Sequence, residues 1–238
     1  MNRIWIVVPA FNEEKNISST IQDLKKHGYK NIVVVDDESR DHTVEKAKKA
    51  GVIVLQHIIN RGQGAALRTG IEYALDQNAD IVVTFDADGQ FLASDLKGLI
   101  QAVEKKEYDI SLGSRYLGKK MEIKIKNPLN HLVFAIRQVF LKGGRVFNYI
   151  FTRTWFSDSQ SGLRAMNRHA AKAIEITQDR MAHATEILEQ IAKKKLRFIE
   201  LPITVRYTDE TIEKGQGGKG LLAGFRIAKQ YVFRKVVS

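Results

Sequence analysis

Residues 81–90 read Ile-Val-Val-Thr-Phe-Asp-Ala-Asp-Gly-Gln, and this stretch decides the fold. Its first half is an apolar run of the kind found in a strand that is buried on both faces. The run stops at Asp86, and Asp88 and Gln90 follow at two-residue steps. Hard oxygen atoms of this type suit Mg²⁺ or Mn²⁺, and Mg²⁺ usually binds one or two carboxylates together with substrate phosphates. The stretch predicts a metal–diphosphate site or else a plain polar turn, since Asp and Gly are common turn residues.

Similar apolar segments occur along the first half of the chain and alternate with helical patterns. The predicted strands cover residues 4–8, 31–35, 52–55, 81–85 and 108–112, and the predicted helices cover residues 16–27, 43–50, 65–75 and 96–105. This alternation with short connections predicts an α/β fold with a mostly parallel central sheet and helices on both faces.

Four polar clusters follow the predicted strands, at residues 9–13, 36–37, 60–64 and 86–90. In parallel sheets, ligands bind outside the carboxyl ends of the strands, so we expect these clusters to meet at one binding edge. The cluster at 60–64, Asn-Arg-Gly-Gln-Gly, is neither the dinucleotide fingerprint nor a Walker loop. Its backbone N–H groups and Arg61 form either an anion site at a helix N-terminus or an ordinary loop with helix-capping glycines.

The composition excludes several classes of protein. The chain has 238 residues, of which 44% are hydrophobic and 27% charged, so it fits one soluble domain and is neither disordered nor fibrous. The lack of cysteine excludes a disulfide framework, a thiol nucleophile and a zinc–thiolate site. The apolar N-terminus is too short for a signal peptide, and no stretch approaches the roughly 20 apolar residues of a spanning helix. We therefore expect a cytoplasmic protein.

The net charge is +11, from 38 Lys and Arg against 27 Asp and Glu, and most of the excess lies after residue 115. A basic chain favours anionic partners, which are nucleic acid, acidic lipid or a phosphorylated substrate. Nucleic-acid binding rests on the charge alone, because no recognised nucleic-acid motif is present.

The pattern changes after residue 117. Residues 128–140 have the apolar spacing of an amphipathic helix, which Gly143 and Gly144 are expected to break, and residues 145–151 continue as a second helix. Trp155 adds apolar bulk just beyond. The pair is interpreted either as a helical layer packed on the sheet or as surface helices that lie in a membrane interface.

The last third of the chain gives weaker patterns. We expect a polar turn at 158–164, helices at 170–176 and 184–194, and a strand pair at 196–201 and 203–206 that Pro202 interrupts. Residues 209–220, with four glycines and two lysines, indicate either a loop that orders on an anionic ligand or a flexible linker. Residues 221–237 predict a basic amphipathic helix suited to a membrane surface or a partner protein.

Six motifs carry a resemblance to a known family. They are Val-Val-Pro-Ala-Phe-Asn-Glu-Glu (7–14), Val-Val-Asp-Asp-Glu-Ser (34–39), Asn-Arg-Gly-Gln-Gly-Ala-Ala (60–66), Asp-Ala-Asp-Gly-Gln (86–90), Gly-Ser-Arg-Tyr (113–116) and Asp-x-x-Ser-Gly-Leu-Arg (158–164). In this order and spacing they resemble the family-2 glycosyltransferases of GT-A fold, and most closely the dolichol- or polyprenyl-phosphate sugar transferases. The resemblance covers residues 4–219. It implies one Rossmann-like GT-A domain over 1–220, with a nucleotide-sugar half at 1–117 and an acceptor half at 118–220, before a C-terminal helix at 221–238.

The resemblance also implies roles for individual residues. The base and ribose of the nucleotide would be held by Pro9, Phe11, Glu13 and Asp37. The Mg²⁺ or Mn²⁺ ion that bridges the diphosphate would be bound by Asp86, Asp88 and Gln90. Arg115 and Arg145 would bind the acceptor phosphate or the donor diphosphate. Arg206 and Lys214 would close over the diphosphate.

Several lipid-phosphate transferases carry C-terminal transmembrane helices, which this sequence does not show. We therefore expect peripheral attachment to the cytoplasmic face of a membrane through residues 128–151 and 221–237. A membrane-protein partner or a homo-oligomer is a further expectation.

The chemistry of sugar transfer calls for similar groups. A sugar that departs from a nucleotide diphosphate leaves negative charge behind, which a divalent ion, Arg206 and Lys214 would stabilise. A hydroxyl acceptor needs a carboxylate base within hydrogen-bond reach, and Asp158 is the candidate. A lipid phosphate needs no strong base, because the second pKa of a monoester is about 6, but it needs arginines for positioning. The candidates are Arg115, Arg137, Arg145 and Arg164.

The sequence therefore predicts a metal-dependent, inverting glycosyltransferase. It would move a sugar from a UDP- or GDP-linked donor to a polyprenyl or dolichyl phosphate, with Asp88, Arg115 and Asp158 as catalytic residues and with Arg61, Gly64 and Arg164 also in the substrate-binding set. The alternative is transfer to a sugar hydroxyl in cell-surface polysaccharide synthesis, with Asp158 as base. A nucleotidyltransferase would usually show a glycine-rich, basic loop after its first strand, where this chain has Pro-Ala-Phe-Asn-Glu.

Overall fold

The computed structural model of the protein describes residues 2–118 and 121–216. The strands are β1 (Ile4–Ala10), β2 (Asn31–Asp36), β3 (Ile53–Gln56), β4 (Ile81–Thr84), β5 (Ile110–Ser114), β6 (Glu122–Lys124), β7 (Arg164–Asn167), β8 (Phe198–Pro202) and β9 (Arg206–Thr208). The α-helices are α1 (Ile17–Lys26), α2 (Thr43–Lys49), α3 (Gln63–Asp76), α4 (Leu96–Glu104), α5 (Pro128–Thr152), α6 (Arg168–Ala173), α7 (His183–Lys193) and α8 (Asp209–Gln216).

Seven strands form one sheet in the order β3-β2-β1-β4-β7-β5-β8. Strands β1 to β4 are parallel to one another, and β5 is parallel to β8. Successive residues of β1 point to opposite faces, where Ile6 packs with α1 and α4, and Val7 packs with α3 and α7. The prediction of a mostly parallel sheet with helices on both faces is confirmed.

Strand β7 was not predicted. It runs antiparallel between β4 and β5 and pairs Arg164 with Thr84 of β4. Its four residues, Arg-Ala-Met-Asn, include no β-branched or aromatic side chain, so the sequence gives little strand signal there. Because β7 begins at the carboxyl end of β4, it brings the turn at 158–163 to the same sheet edge as the acidic turn.

Helix α5 is continuous, so the predicted break at Gly143 and Gly144 is wrong. Asn127 caps the helix by accepting a 2.9 Å hydrogen bond from the Leu129 N–H, and Arg153, at φ 55°, ends it. Glycine costs about 1 kcal/mol relative to alanine inside a helix. The packing of Val133 and Phe134 against the core, with Phe134 edge-on to Tyr207 at 4.8 Å between ring centroids, favours the long helix over this local cost.

Two predictions for the last third are also wrong. The expected strand pair does not form, because β8 pairs with β5 and β9 pairs with β6 in a separate two-stranded sheet. Residues 209–216 form helix α8 instead of a loop. The predicted C-terminal helix at 221–237 lies outside the described residues. Within 2–118 and 121–216, no helix is both long and apolar enough to cross a membrane.

Candidate active site

A cavity of about 300 Å³ opens at the carboxyl ends of the strands. The structure brings nine of the predicted site residues together in its wall: Pro9, Phe11, Glu13, Asp37, Asp86, Asp88, Gln90, Arg115 and Arg164. The expectation that the polar clusters meet at one edge is therefore confirmed for the clusters after β1, β2 and β4. The cluster at 60–64 contributes Gln63 to the wall. The wall also contains Gln160, Met181 and His183, to which the sequence analysis gave no role.

The acidic turn after β4 forms the floor of the cavity. The Nε2 of Gln63, at the start of α3, donates a 2.8 Å hydrogen bond to Oδ1 of Asp86. Gly162 packs against the other side of this carboxylate so closely that an added Cβ would lie 2.3 Å from Oδ2. Burial raises the pKa of Asp86, although the positive charges of Arg164 and Arg115 oppose the rise. The Gln90 N–H donates to Oδ1 of Asp88 at 3.0 Å and shapes the turn.

The floor offers hard oxygen atoms to a divalent cation. Asp86, Asp88 and Gln90 all line the cavity and supply two carboxylates and one amide oxygen. In the part of the chain that the structure describes, no group of three or more His, Cys, Asp or Glu side chains could by itself hold a metal ion. Two carboxylates and one amide oxygen nevertheless fit an ion such as Mg²⁺ or Mn²⁺, which usually keeps waters and takes further oxygens from a substrate.

Asp37 organises the loop that lies between β3 and α3. Its carboxylate accepts hydrogen bonds from the Gly62 N–H at 2.6 Å and from the Arg61 N–H at 3.0 Å. The Nδ1 of His57 lies 2.8 Å from its Oδ1. Asp37 therefore holds the edge of the cavity in place through these hydrogen bonds within the protein. The Phe11 side chain is exposed and also lines the cavity.

The anion site predicted at the start of α3 stays a prediction, and some of its donors are already engaged within the protein. The Ala65 N–H donates to the Asp179 carbonyl at 3.1 Å, and the N–H groups of Arg61 and Gly62 bind Asp37. The Arg61 side chain pairs with Asp179 at 3.2 Å, outside the set of residues that line the cavity. Gly64 is required for packing, since an added Cβ would lie 2.0 Å from the Gln178 carbonyl oxygen.

Arg115 and Asp158 form a buried ion pair behind the cavity. The Arg115 Nε lies 2.7 Å from Oδ2 of Asp158, and Nη1 donates to the Tyr207 hydroxyl at 2.9 Å. Burial alone would lower the pKa of Arg115, but the Asp158 carboxylate raises it above its ordinary value. The same carboxylate accepts from the Arg115 and Gln160 N–H groups, so it is engaged as a structural partner.

Arg164 places a second guanidinium in the wall. Its side chain is 2% exposed, and its Nη1 has no hydrogen-bond partner among the described residues. Burial lowers the pKa of Arg164 to about 10, against the opposing charges of Asp86 and Asp158. Arg164 is therefore still positively charged at neutral pH, and one of its donor groups is left over.

Two of the other predicted cations, Arg145 and Arg206, lie outside the set of cavity-lining residues. The Arg145 guanidinium stacks on Tyr116, 4.5 Å from the ring centroid. The Arg206 side chain pairs with Glu122 at 2.9 Å, although its backbone N–H binds the Gln90 carbonyl beside the acidic turn. Lys214 lies in α8 and Arg137 in α5, and their side chains are outside the described part of the structure.

Sequence reasoning missed His183 because a lone histidine at a helix start belongs to none of the motifs. It is the first residue of α7 and lies in the cavity wall. Its Nδ1 lies 2.8 Å from the Arg180 carbonyl oxygen. Burial lowers the pKa of His183 to about 4, and the positive charge of Arg164 acts in the same direction. The imidazole is thus neutral at neutral pH.

Comparison with known proteins identifies the family of this chain. The family described as "Glycosyl transferase family 2" matches residues 5–174. The chain belongs to glycosyl transferase family 2. One family-2 relative is the UDP-N-acetylglucosamine–dolichyl-phosphate N-acetylglucosaminyltransferase of Methanococcus voltae, which is 32% identical over 98% of this chain and 96% of its own. Another is the dolichol-phosphate mannosyltransferase of Pyrococcus furiosus, which is 27% identical over 90% of this chain and 60% of its own.

A solved structure shows the same fold. Glucosyl-3-phosphoglycerate synthase from Mycobacterium tuberculosis, crystallised with Mn²⁺, UDP and phosphoglyceric acid, superposes with a TM-score of 0.64 at 17% identity. The match covers 86% of this chain and 69% of that chain. The prediction of a family-2 fold with a Rossmann-like sheet is confirmed, while the individual residue roles stay predictions.

Proposed function

We propose that this family-2 glycosyltransferase moves a sugar from a nucleotide-diphosphate sugar to a polyprenyl phosphate, with inversion and with a divalent metal ion. One observation carries the proposal. The cavity has an oxygen-rich floor at Asp86 and Asp88, faced by the buried and incompletely bonded guanidinium of Arg164. This combination suits two phosphate-bearing substrates, one held through a cation and one held through an arginine.

The nucleotide would lie on the β1–β2 side of the cavity. Phe11, half-exposed at the rim, offers a ring face to the base, and Pro9 adds apolar contact below it. The M. voltae relative is named for a UDP-linked donor, and the M. tuberculosis structure contains UDP. These names favour UDP over GDP as the first nucleotide to test.

The diphosphate would lie over the acidic floor. A divalent ion held there by Asp86, Asp88 and Gln90 would neutralise the charge that develops on the departing diphosphate. The M. tuberculosis enzyme was crystallised with Mn²⁺ and, separately, with Mg²⁺. We therefore expect either ion to serve.

The acceptor assignment rests on the absence of a free base at Asp158. A hydroxyl acceptor needs a carboxylate that can take a proton, but the Asp158 carboxylate is 1% exposed and is paired with Arg115. A phosphate monoester is already ionised near neutral pH and needs only positive charge to position it. Arg164 lines the same cavity as Asp86, and its charge acts on Asp86 more strongly than that of Arg115 does, so it is the candidate for this role.

The experiment is a transfer assay with UDP-N-acetylglucosamine, Mn²⁺ and a short polyprenyl phosphate, in which released UDP and glycolipid are both measured. We expect both products only when the lipid phosphate is present. Asp88→Asn should abolish them, whereas Asp76→Asn, at an exposed position on α3, should not. UDP release that is stimulated by a saccharide and not by the lipid phosphate would overturn the proposal in favour of polysaccharide synthesis.

We further propose that the enzyme binds an anionic membrane through α5. Among the side chains that the structure describes, the exposed large apolar ones on this helix and the segment after it are Leu129, Leu132, Val146, Tyr149, Ile150 and Trp155. The rings of Tyr149 and Trp155 lie edge to face at 6.0 Å between centroids. Exposed Lys124, Lys126 and Arg153 flank this surface and give it a charge complementary to acidic headgroups. Such a surface would place the cavity beside a lipid-borne acceptor.

A further inference from the structure

His183 is held rigidly in the cavity wall. Its side chain is 2% exposed, and its backbone N–H binds the Arg180 carbonyl at 3.1 Å. The Nδ1 binds the same carbonyl at 2.8 Å. A Cβ added to Gly64 would lie 2.9 Å from the Cβ of His183, so α3 and α7 touch at this point.

The hydrogen bond fixes the tautomer of the imidazole. A carbonyl oxygen only accepts, so the Nδ1 must carry the proton. The other ring nitrogen, Nε2, is then an acceptor with a free lone pair, because burial beside the charged Arg164 keeps the ring neutral. In the described part of the chain Nε2 has no hydrogen-bond partner, yet it is not sealed inside the protein. It therefore opens on the cavity that His183 lines.

Its place in the cavity relates it to the donor sugar. On the proposed function, the base occupies the side of Phe11 and Asp37, and the diphosphate occupies the floor at Asp88. The remaining wall comes from the turn before β7 and from the start of α7, and it includes Gln160 and His183. The sugar attached to the diphosphate would then lie against this wall.

We propose that His183 accepts a hydrogen bond from one hydroxyl of the transferred sugar through Nε2, and that this contact sets the specificity for the donor sugar. The inference rests on the proposed function and adds a residue that selects its substrate. The Nε2 atom can accept a hydrogen bond from an O–H group of the sugar. A sugar that lacks this hydroxyl binds less well, because the buried nitrogen is then left without a hydrogen bond. The neighbouring Arg164 cannot make this selection, since a guanidinium only donates.

Two substitutions of His183 distinguish the role of Nδ1 from the role of Nε2. In His183→Asn, the amide nitrogen takes the place of Nδ1 and keeps the bond to the Arg180 carbonyl, while the Nε2 position is lost. In His183→Gln, the amide oxygen reaches the Nε2 position and can accept in its place. His169→Asn, at an exposed position on α6, is the matched control for replacing a histidine.

The experiment compares kcat/KM for UDP-N-acetylglucosamine with that for its monodeoxy analogues, and measures the Kd of UDP by calorimetry. We expect the wild type to discriminate against one analogue by at least about tenfold, since a lost hydrogen bond leaves a buried acceptor unpaired. His183→Asn should remove that discrimination and leave the Kd of UDP unchanged. His183→Gln should restore part of it, and His169→Asn should behave as wild type.

The inference is overturned if His183→Asn lowers kcat/KM equally for the parent donor and every analogue, or if wild type shows no preference among them. It is also overturned if the variant weakens the binding of UDP itself, because the residue would then act on the nucleotide. Failure of the proposed function gives a different result, which is no glycolipid from wild type with any donor. In that case, calorimetry with UDP-N-acetylglucosamine and its analogues still decides whether His183 binds a hydroxyl of the sugar.

Discussion

The Nε of Arg115 lies 2.7 Å from Oδ2 of Asp158, and neither side chain is more than 5% exposed. Arg115 directly follows β5, and Asp158 lies in the turn before β7, so the pair ties two strands together at the active edge. Glu200 of β8 supports the same turn by accepting from the Ser157 N–H at 2.9 Å. The ion pair therefore holds the wall on which Gln160, Gly162 and Arg164 stand.

Asp158→Asn should destabilise the fold, because it leaves the Arg115 charge buried without its partner. Breaking a buried ion pair from one side costs about 3–5 kcal/mol. Urea unfolding followed by circular dichroism measures this loss. A stable variant with normal unfolding and a large deficit in turnover would contradict the structural role and would support Asp158 as a general base.

Gly162→Ala should damage the acidic floor. The new Cβ would lie 2.3 Å from Oδ2 of Asp86, and Gln63 holds that carboxylate from the other side. A displacement near 1 Å at a reacting centre costs about 100-fold in rate, so we expect a loss of that order in the transfer assay. Overpacking should also reduce stability by about 1–3 kcal/mol.

The control for this change is Gly98→Ala in α4, where an added Cβ meets no atom within 4 Å. Alanine is favoured over glycine inside a helix, so this variant should gain about 0.5–1 kcal/mol of stability and keep full activity. If both glycine variants lost activity alike, the close packing of Gly162 on Asp86 would not be the cause.

Asp109 gives the stability a dependence on pH. Hydrogen bonds from the Arg197 side chain lower the pKa of Asp109 to about 2. The folded state thus binds this proton more weakly than the unfolded state does, so the stabilisation is complete above about pH 4 and is lost as the pH falls towards 2. The Arg197 side chain is 58% exposed, so solvent screens the pair and we expect it to contribute little to the free energy of unfolding.

The measurement is the free energy of unfolding of wild type and of Asp109→Asn over a series of pH values. The two proteins should differ at neutral pH and converge as the pH falls below about 4. Asp76→Asn should show no such convergence. A constant difference between wild type and Asp109→Asn at every pH would show that the ionised form of Asp109 is not the stabilising form.

Replacing Leu132 and Ile150 together by serine should weaken membrane binding without loss of stability. Both side chains are more than half exposed on α5, so their removal disturbs little internal packing. Flotation with vesicles that contain anionic lipid measures the effect. Wild type should float at low salt and less at high salt, because the electrostatic part of the attraction is screened.

The matched control replaces two exposed isoleucines on another part of the molecule, Ile58 and Ile59, which follow β3. This variant should float like wild type. Wild type that remains at the bottom with anionic vesicles at low salt would exclude α5 as a membrane surface. Equal loss in both double variants would show that the binding is not specific to this helix.

Local patterns predicted the parallel part of the sheet because the buried strands are short apolar runs that stop at polar turns. The positions of Phe11, Asp37 and Asp88 followed from one rule, since the carboxyl ends of parallel strands meet at one edge. Strand β7 was not predicted, because the strands that it pairs with lie far away in the sequence. Its own residue types also have no preference for strands.

Other interactions that define the site also leave no signal in the sequence. Nothing near Asp158 in the sequence indicates that its charge is matched by Arg115. The hydrogen bond of His183 is local, but no sequence pattern indicates that a carbonyl three residues earlier fixes its tautomer. The continuous helix α5 shows a third limit, because packing against Tyr207 overrides the local preference of Gly143 and Gly144.

The chain leaves the sheet at Ser114 and comes back at Ser157 within one hydrogen bond of its point of departure, with 2.6 Å between the two Oγ atoms. A chain segment whose two ends are in contact can change length at a small cost in free energy. The entropy lost on bringing the ends together depends only weakly on the number of residues between them. We therefore expect the part of this segment that contains α5 to tolerate changes in length while Arg115, the sheet and its acidic floor keep their places. Relatives that handle different acceptors should differ most between these two positions.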